Sequence, residues 1–159
     1  MTDNINSIDR YLEAQSINYA IALSEIRAGK KTTHWMWYIF PQLRGLGHSS
    51  YAYIYGIRDL EEAKEYLANP ILSARLSEIC EELLRHAGTE PEYILGFTDS
   101  VKLRSSMTLF VVAGGGDTIY KKILNAFYGG IPCELTLKML NVDPLEFGYE
   151  LYPRVKVEK

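Results

Sequence analysis

Apolar residues spaced by alternating threes and fours, with glycines closing the runs, set the fold class of this chain. From Ser7 to Arg27, positions Ile8, Leu12, Gln15, Tyr19, Ala22 and Ile26 fall on one face of a helix, and Gly29 follows as a stop. Asp59 followed by Glu62 is a capping-box-like start for a helix to about Ala68. Asn69-Pro70 then reads as an N-cap with proline at the first helical position, opening a helix that turns Leu72, Leu76, Ile79, Leu83 and Leu84 inward. Asp99 is the expected cap of a helix to about Ala113, stopped by Gly114-Gly115-Gly116, and Asp117 the cap of the next, with Ile119, Ile123 and Phe127 along one side. Shorter helices are expected at Glu90–Leu95 and Glu134–Leu140. Tyr51, Tyr53 and Tyr55 alternate as a strand would, but the run is short and has no partner. The chain therefore reads as all-α: one compact domain over residues 1–143 with about six to eight helices, and an extended C-terminal tail over 144–159.

The chain's 159 residues suffice for one domain with a proper core, without metal or disulfide support. A net charge of −3 argues against broad attraction to nucleic acid or an anionic membrane. The longest aromatic–aliphatic run, Trp35 to Phe40, is far too short to span a bilayer. The opening Met1-Thr2-Asp3-Asn4 shows no signal-peptide pattern, and the expected location is a reducing cytoplasm. Cys80 and Cys133 lack metal-ligand spacing, and Cys80 sits in an apolar helical pattern as a small buried hydrophobe would. Gly114-Gly115-Gly116 lacks the lysine and hydroxyl residue of a phosphate loop, and Gly45-x-Gly47 has no strand–turn–helix around it. No cofactor and no metal is expected, and the sequence does not give the oligomeric state.

Two segments break their own helical pattern. Between Lys30 and Gln42 the chain crowds two lysines, His34, four aromatic rings and a side-chain amide. Thr33 is placed to cap a short helix in which His34, Trp37 and Tyr38 share a face. Lys30 and Lys31 would precede that helix, where free backbone N–H groups favour an anion and Trp35 or Trp37 offers a flat surface. In the second segment, Asp99, Leu103, Ser106 and Phe110 fall within one arc, bordered by Lys102, so polar groups share a stripe with large apolar ones. Packing alone accounts for much of this: core aromatics, a capping Asp99, a Ser106 bonded back to the main chain and a snorkelling Lys102.

The stretch His34-Trp35-Met36-Trp37-Tyr38-Ile39-Phe40-Pro41-Gln42, preceded by Gly29-Lys30-Lys31, together with Lys102-Leu103-Arg104-Ser105-Ser106-Met107-Thr108-Leu109-Phe110, resembles the signature of a bacterial family of small helical proteins of unknown function. Some of its members carry the misleading name calpastatin, which fits a disordered, repetitive inhibitor and not a compact, non-repetitive chain. The resemblance covers roughly residues 8–142 and implies a multihelical single domain, with no reaction, cofactor or partner attached. Two positions depart from the family pattern: Asn69 stands where a histidine is expected, and Cys133 where an aspartate is.

These observations lead to a pocket between the His34 segment and the Asp99–Phe110 helix that binds a small anionic ligand, a nucleotide or phosphorylated metabolite. Lys30, Lys31, Lys102 and Arg104 are the candidates for the anion, Trp35 and Trp37 for stacking, and His34, Gln42 and Ser106 for oriented hydrogen bonds, with Ser105 a further ligand-binding candidate. An alternative gives His34 and Asp99 acid–base roles in a hydrolase acting on a nucleotide-derived or ADP-ribose-linked bond. Another makes Tyr51, Tyr53, Tyr55 and the tail aromatics Phe147, Tyr149 and Tyr152 a protein-interaction surface.

Overall fold

In a computed structural model, which describes residues 6–116 and 118–147, seven consecutive residues from Ser105 to Val111 are all buried. A stretch of helix hidden on every side has to be surrounded, and this one, in the middle of α7 (Phe97–Gly114), is. The other helices among the described residues are α1 (Asp9–Ala28), α2 (Met36–Ile39), α3 (Ser50–Tyr55), α4 (Leu60–Ala68), α5 (Pro70–Leu84), α6 (Pro91–Leu95), α8 (Ile119–Tyr128) and α9 (Glu134–Met139). Helices α4, α6, α8 and α9 pack on α7, while α5 bridges α1, α4 and α8. The only strand-like pairing among the described residues is an isolated parallel bridge, Leu43 to Ile57. No described helix is long and apolar enough to cross a membrane.

The helix boundaries follow their caps. Asn69 Oδ1 accepts from the backbone N–H of Ile71 and Leu72, both at 3.0 Å, and Pro70 follows as the first helical residue. Cys133 does the same work for α9, its Sγ accepting from Thr136 N at 3.5 Å. Asn69 and Cys133, the two positions that the resemblance marks as unusual, thus both stand at helix caps. Gly29, at φ 80°, ends α1 in the left-handed conformation. The His86 ring, bonded at 2.7 Å to the Ile26 carbonyl, closes that end, so its helix-end contact is with α1 and not with its own helix.

Several sequence expectations are corrected. The tyrosine run forms helix α3, because Ser49 Oγ caps it by accepting from Ala52 N at 3.0 Å. Helix α7 begins two residues before Asp99 and takes Gly96 as its cap, leaving Asp99 in the first turn. Thr118 stands at the cap position of α8, and Asp117 lies outside the described residues. Residues 144–147 form a turn closed by Phe147 N donating to Asp143 O, with Phe147 buried against the body. Tyr149 and Tyr152 lie outside the described residues.

On α1, the inward face includes Arg10, a residue the apolar period passes over. Its guanidinium is 7% exposed and forks onto the Glu62 carboxylate, Nη1 to Oε2 at 2.8 Å and Nη2 to Oε1 at 3.0 Å. It also donates to the carbonyls of Ser7, Ile54 and Gly56. Glu62, fully buried, accepts in addition from Arg58 N at 2.7 Å. Tyr11 OH donates to Tyr55 O, so α1 holds the end of α3 and the start of α4 in one hydrogen-bonded knot. Gly56 sits inside it for lack of room: a Cβ there would lie 2.5 Å from Arg44 Cα and 2.7 Å from the Ala52 carbonyl oxygen. Substituting Glu62→Gln leaves a buried guanidinium without its counter-charge and is expected to lower the unfolding free energy by about 3–5 kcal/mol in urea denaturation. A loss below about 1 kcal/mol would show that the knot is dispensable.

Candidate functional site

The two pattern-breaking segments meet. Lys31 Nζ lies 2.8 Å from Asp99 Oδ2, and Lys102 Nζ lies 3.6 Å from Asp99 Oδ1. Each lysine is also backed by an indole, Lys31 at 5.0 Å from the Trp35 ring centroid and Lys102 at 5.3 Å from that of Trp37. Two ammonium groups share one carboxylate, and the shorter contact goes to the more buried lysine. Lys31 is 7% exposed and Lys102 21%, so Asp99 chiefly neutralises Lys31. Lys102, paired to Asp99 at the longer distance, also borders the space beyond it.

Beyond it lies a cleft of about 490 Å³ between the Gln42–Ala52 segment and α7. Its walls are largely apolar (Leu46, Ala52, Val101, Leu135), and Gln42, His48, Thr98 and Lys102 are set among them. No carboxylate among the described residues lines it. Gly47 lets the segment close against α3, since a Cβ there would sit 2.6 Å from the Ala52 Cβ. Phe97, Val101 and Ser105 recur every four residues on α7 and form a ridge. Across that ridge is a second cleft of about 560 Å³, carrying Arg104, Tyr128, Glu90, Glu92 and Glu134. Cys133 borders both, with its Sγ 3.4 Å from Ser105 Oγ. Phe97, Val101 and Leu135 are at least half exposed around these clefts, an apolar rim where a soluble surface would otherwise be polar.

The remaining sequence candidates scatter. Gln42, Lys102 and Ser105 line the first cleft, and Arg104 and Ser105 the second, with the Arg104 guanidinium 4.8 Å from the Tyr128 ring centroid. Lys30 and His34 are exposed and line neither cleft. Trp35 is 1% exposed and presents no stacking face, while Trp37 meets Tyr51 edge-on and borders only a narrow crevice. Ser106 is fully buried, and its hydroxyl finds no partner among the described residues. The back-bonding expected of Ser106 is made by its neighbours: Ser105 Oγ donates to Val101 O, and Thr108 Oγ1 to Arg104 O. Among the described residues no group of three or more His, Cys, Asp or Glu side chains is arranged to hold a metal.

The short helix is Met36–Ile39, with Trp35 at its cap position, so neither Thr33 nor His34 plays the part expected of it. Instead Thr33 Oγ1 donates to Glu25 at 2.6 Å, and the same carboxylate accepts from Thr32 N, Thr33 N and Trp35 Nε1. The anion that this turn attracts is therefore the protein's own. Partial burial pushes the Glu25 carboxyl up, but the donors from Thr33, Thr32 and Trp35 outweigh it and hold it at about 2. Sequence reading missed Glu25 because an acidic residue near a helix end ordinarily faces solvent. His48 was passed over because glycines and serines surround it, which marks a loop and says nothing of what the loop covers.

The family model described as protein of unknown function (DUF1810) matches residues 5–140. The chain belongs to this family. The DUF1810 match takes in the Lys31–Asp99–Lys102 cluster, both clefts and all nine described helices. The crystal structure of the conserved hypothetical protein Rv1873 from Mycobacterium tuberculosis is similar at 41% identity over 87% of this chain and 99% of that one, with a TM-score of 0.83. Among curated proteins no match is found.

Glu25 gives a pH signature. Its carboxyl sits at about 2 in the folded chain against an ordinary 4.5, so its contribution is complete above pH 4.5 and is lost as pH falls towards 2. Because the group is partly exposed, about 1–2 kcal/mol is expected. Glu25→Gln is expected to lower stability at pH 7 by that amount and to flatten this acid limb in urea titrations. An unchanged acid limb would remove Glu25 from the account.

Proposed function

We propose that this protein binds a small molecule bearing an anionic group, of the size of a nucleotide or phosphorylated metabolite, in the cleft between residues 42–52 and α7. The observation that carries this reading is the charge arrangement: Lys102 borders a largely apolar cleft of ligand size that no carboxylate among the described residues lines, and Asp99 is already engaged by Lys31. Lys102 supplies the charge, Gln42 and Thr98 supply hydrogen bonds, and Val101 and Leu135 cover the ligand's apolar part. The ligand's flat part rests on these aliphatic groups, not on an indole.

The hydrolase reading has less to stand on. His34 is exposed and away from both clefts, and the Asp99 carboxylate is taken up by ion pairs with Lys31 and Lys102. The interaction-surface reading keeps Tyr51 and Tyr53, which are exposed, but Phe147 is turned onto the chain's own body.

Thermal-shift measurements with nucleotides and sugar phosphates at millimolar concentration test the proposal. At least one class is expected to raise Tm. Lys102→Met is expected to abolish the shift, and Asp99→Asn to enlarge it by releasing Lys102. No response from any anion, or equal responses from wild type and Lys102→Met, would overturn it.

A further inference from the structure

His48 lines the Lys102 cleft on the wall opposite α7, yet it has no part in the reading given above. Both of its neighbours in the chain are pinned. Gly47 packs so closely on α3 that a Cβ there would lie 2.6 Å from the Ala52 Cβ, and Ser49 Oγ accepts from Ala52 N at 3.0 Å. The contacts that start α3 therefore also hold His48 at the cleft. Its imidazole is exposed and forms no hydrogen bond or ion pair with a described residue. The Arg44 guanidinium, on the same segment, is engaged with Tyr53 and Asn6 and does not line the cleft.

The surrounding charges make the state of this ring matter. Lys31, Lys102 and Asp99 contribute two ammonium groups and one carboxylate, which together leave one unit of positive charge. Beyond His48 and Lys102, the one titratable side chain among the described residues lining the cleft is Cys133, and a thiol never becomes cationic. An imidazole, by contrast, changes its charge between pH 5 and 8. Protonated, it would set a second positive charge and two N–H donors opposite the Lys102 wall; neutral, it has one donor and no charge.

We propose that His48 is the second anion-binding group of this cleft, and that the two walls together take a phosphate or sulfate monoester. This deepens the reading of the Lys102 cleft and rests on it. A tetrahedral monoester has three free oxygens and meets cations on two walls at once, whereas a planar carboxylate has two oxygens on one side. Such an anion favours the protonated ring, so its binding strengthens as pH falls. A phosphate ester hides part of this effect, because its own second ionisation lies at about pH 6. A sulfate ester keeps a single charge throughout and shows the effect undiluted.

Calorimetric titration with adenosine 5′-sulfate at pH 8 and pH 5.5 tests this. Wild type is expected to bind about fivefold more tightly at pH 5.5, the scale of a solvent-accessible ion pair. His48→Gln, a change at an exposed loop position, is expected to bind equally at the two pH values. Lys102→Met is expected to weaken binding at both. Equal binding by wild type at the two pH values overturns the role of His48, as does a pH dependence that survives in His48→Gln. Binding of adenosine monophosphate without any binding of the sulfate ester overturns it too. These three outcomes leave the Lys102 cleft standing, whereas failure of both probes at both pH values overturns both readings.

Discussion

Arg10 and Glu62 stand 52 positions apart in the sequence and meet in the interior, where Arg10 also donates to the carbonyls of Ser7, Ile54 and Gly56 and Glu62 also accepts from Arg58 N. A buried pair of this kind contributes little net stability over an apolar substitute, yet removing either half leaves a charge that nothing else can solvate. Its effect is therefore on uniqueness. The fork fixes the angle between α1 and α4, and the carbonyls of Ile54, Tyr55 and Gly56 fix the exit of α3 against both. With the α3 exit held, the 42–52 segment lies along α7 and a cleft remains between them. Around the knot Tyr11 meets Tyr66 edge-to-face and Tyr55 at a tilt, and these rings surround the charges with apolar surface.

Glycine stops and capping residues made the helical plan legible, and the helices from α4 to α6 lie where their caps place them. What the sequence could not show were contacts in which a polar residue faces inward. Arg10 falls on a helix face that an apolar period leaves to solvent, and Glu62 reads as half of a local capping box. In fact Asp59 caps that helix and the Glu62 side chain turns away to Arg10. The tyrosines of α3 mimic strand alternation because that short helix buries none of its residues, so no helical stripe is imprinted on it. The central helix defeated periodicity for the opposite reason. Surrounded on all sides, α7 has no polar face along its middle, and its hydroxyls are buried with the rest.

The same contrast runs through the candidate site. Sequence patterning found both segments and their shared cations, and Lys31, Asp99 and Lys102 do come together. It could not tell which positive groups are already answered from within. Glu25 occupies the N–H groups of Thr32 and Thr33, and Asp99 occupies Lys31, so the aromatic segment is mainly a structural support. Trp35 and Trp37 back the two lysines and hold Lys102 at the edge of the cleft. The proposed site moves accordingly, from the aromatic segment to the α7 ridge and the loop carrying His48.

Amide NMR spectra recorded during a titration with adenosine monophosphate would locate binding without presuming which side chains matter. Shifts concentrated in residues 42–52 and 97–105, with residues 30–34 unmoved, are the result this account predicts. Shifts centred on His34 and Lys30, or none at all, would contradict it.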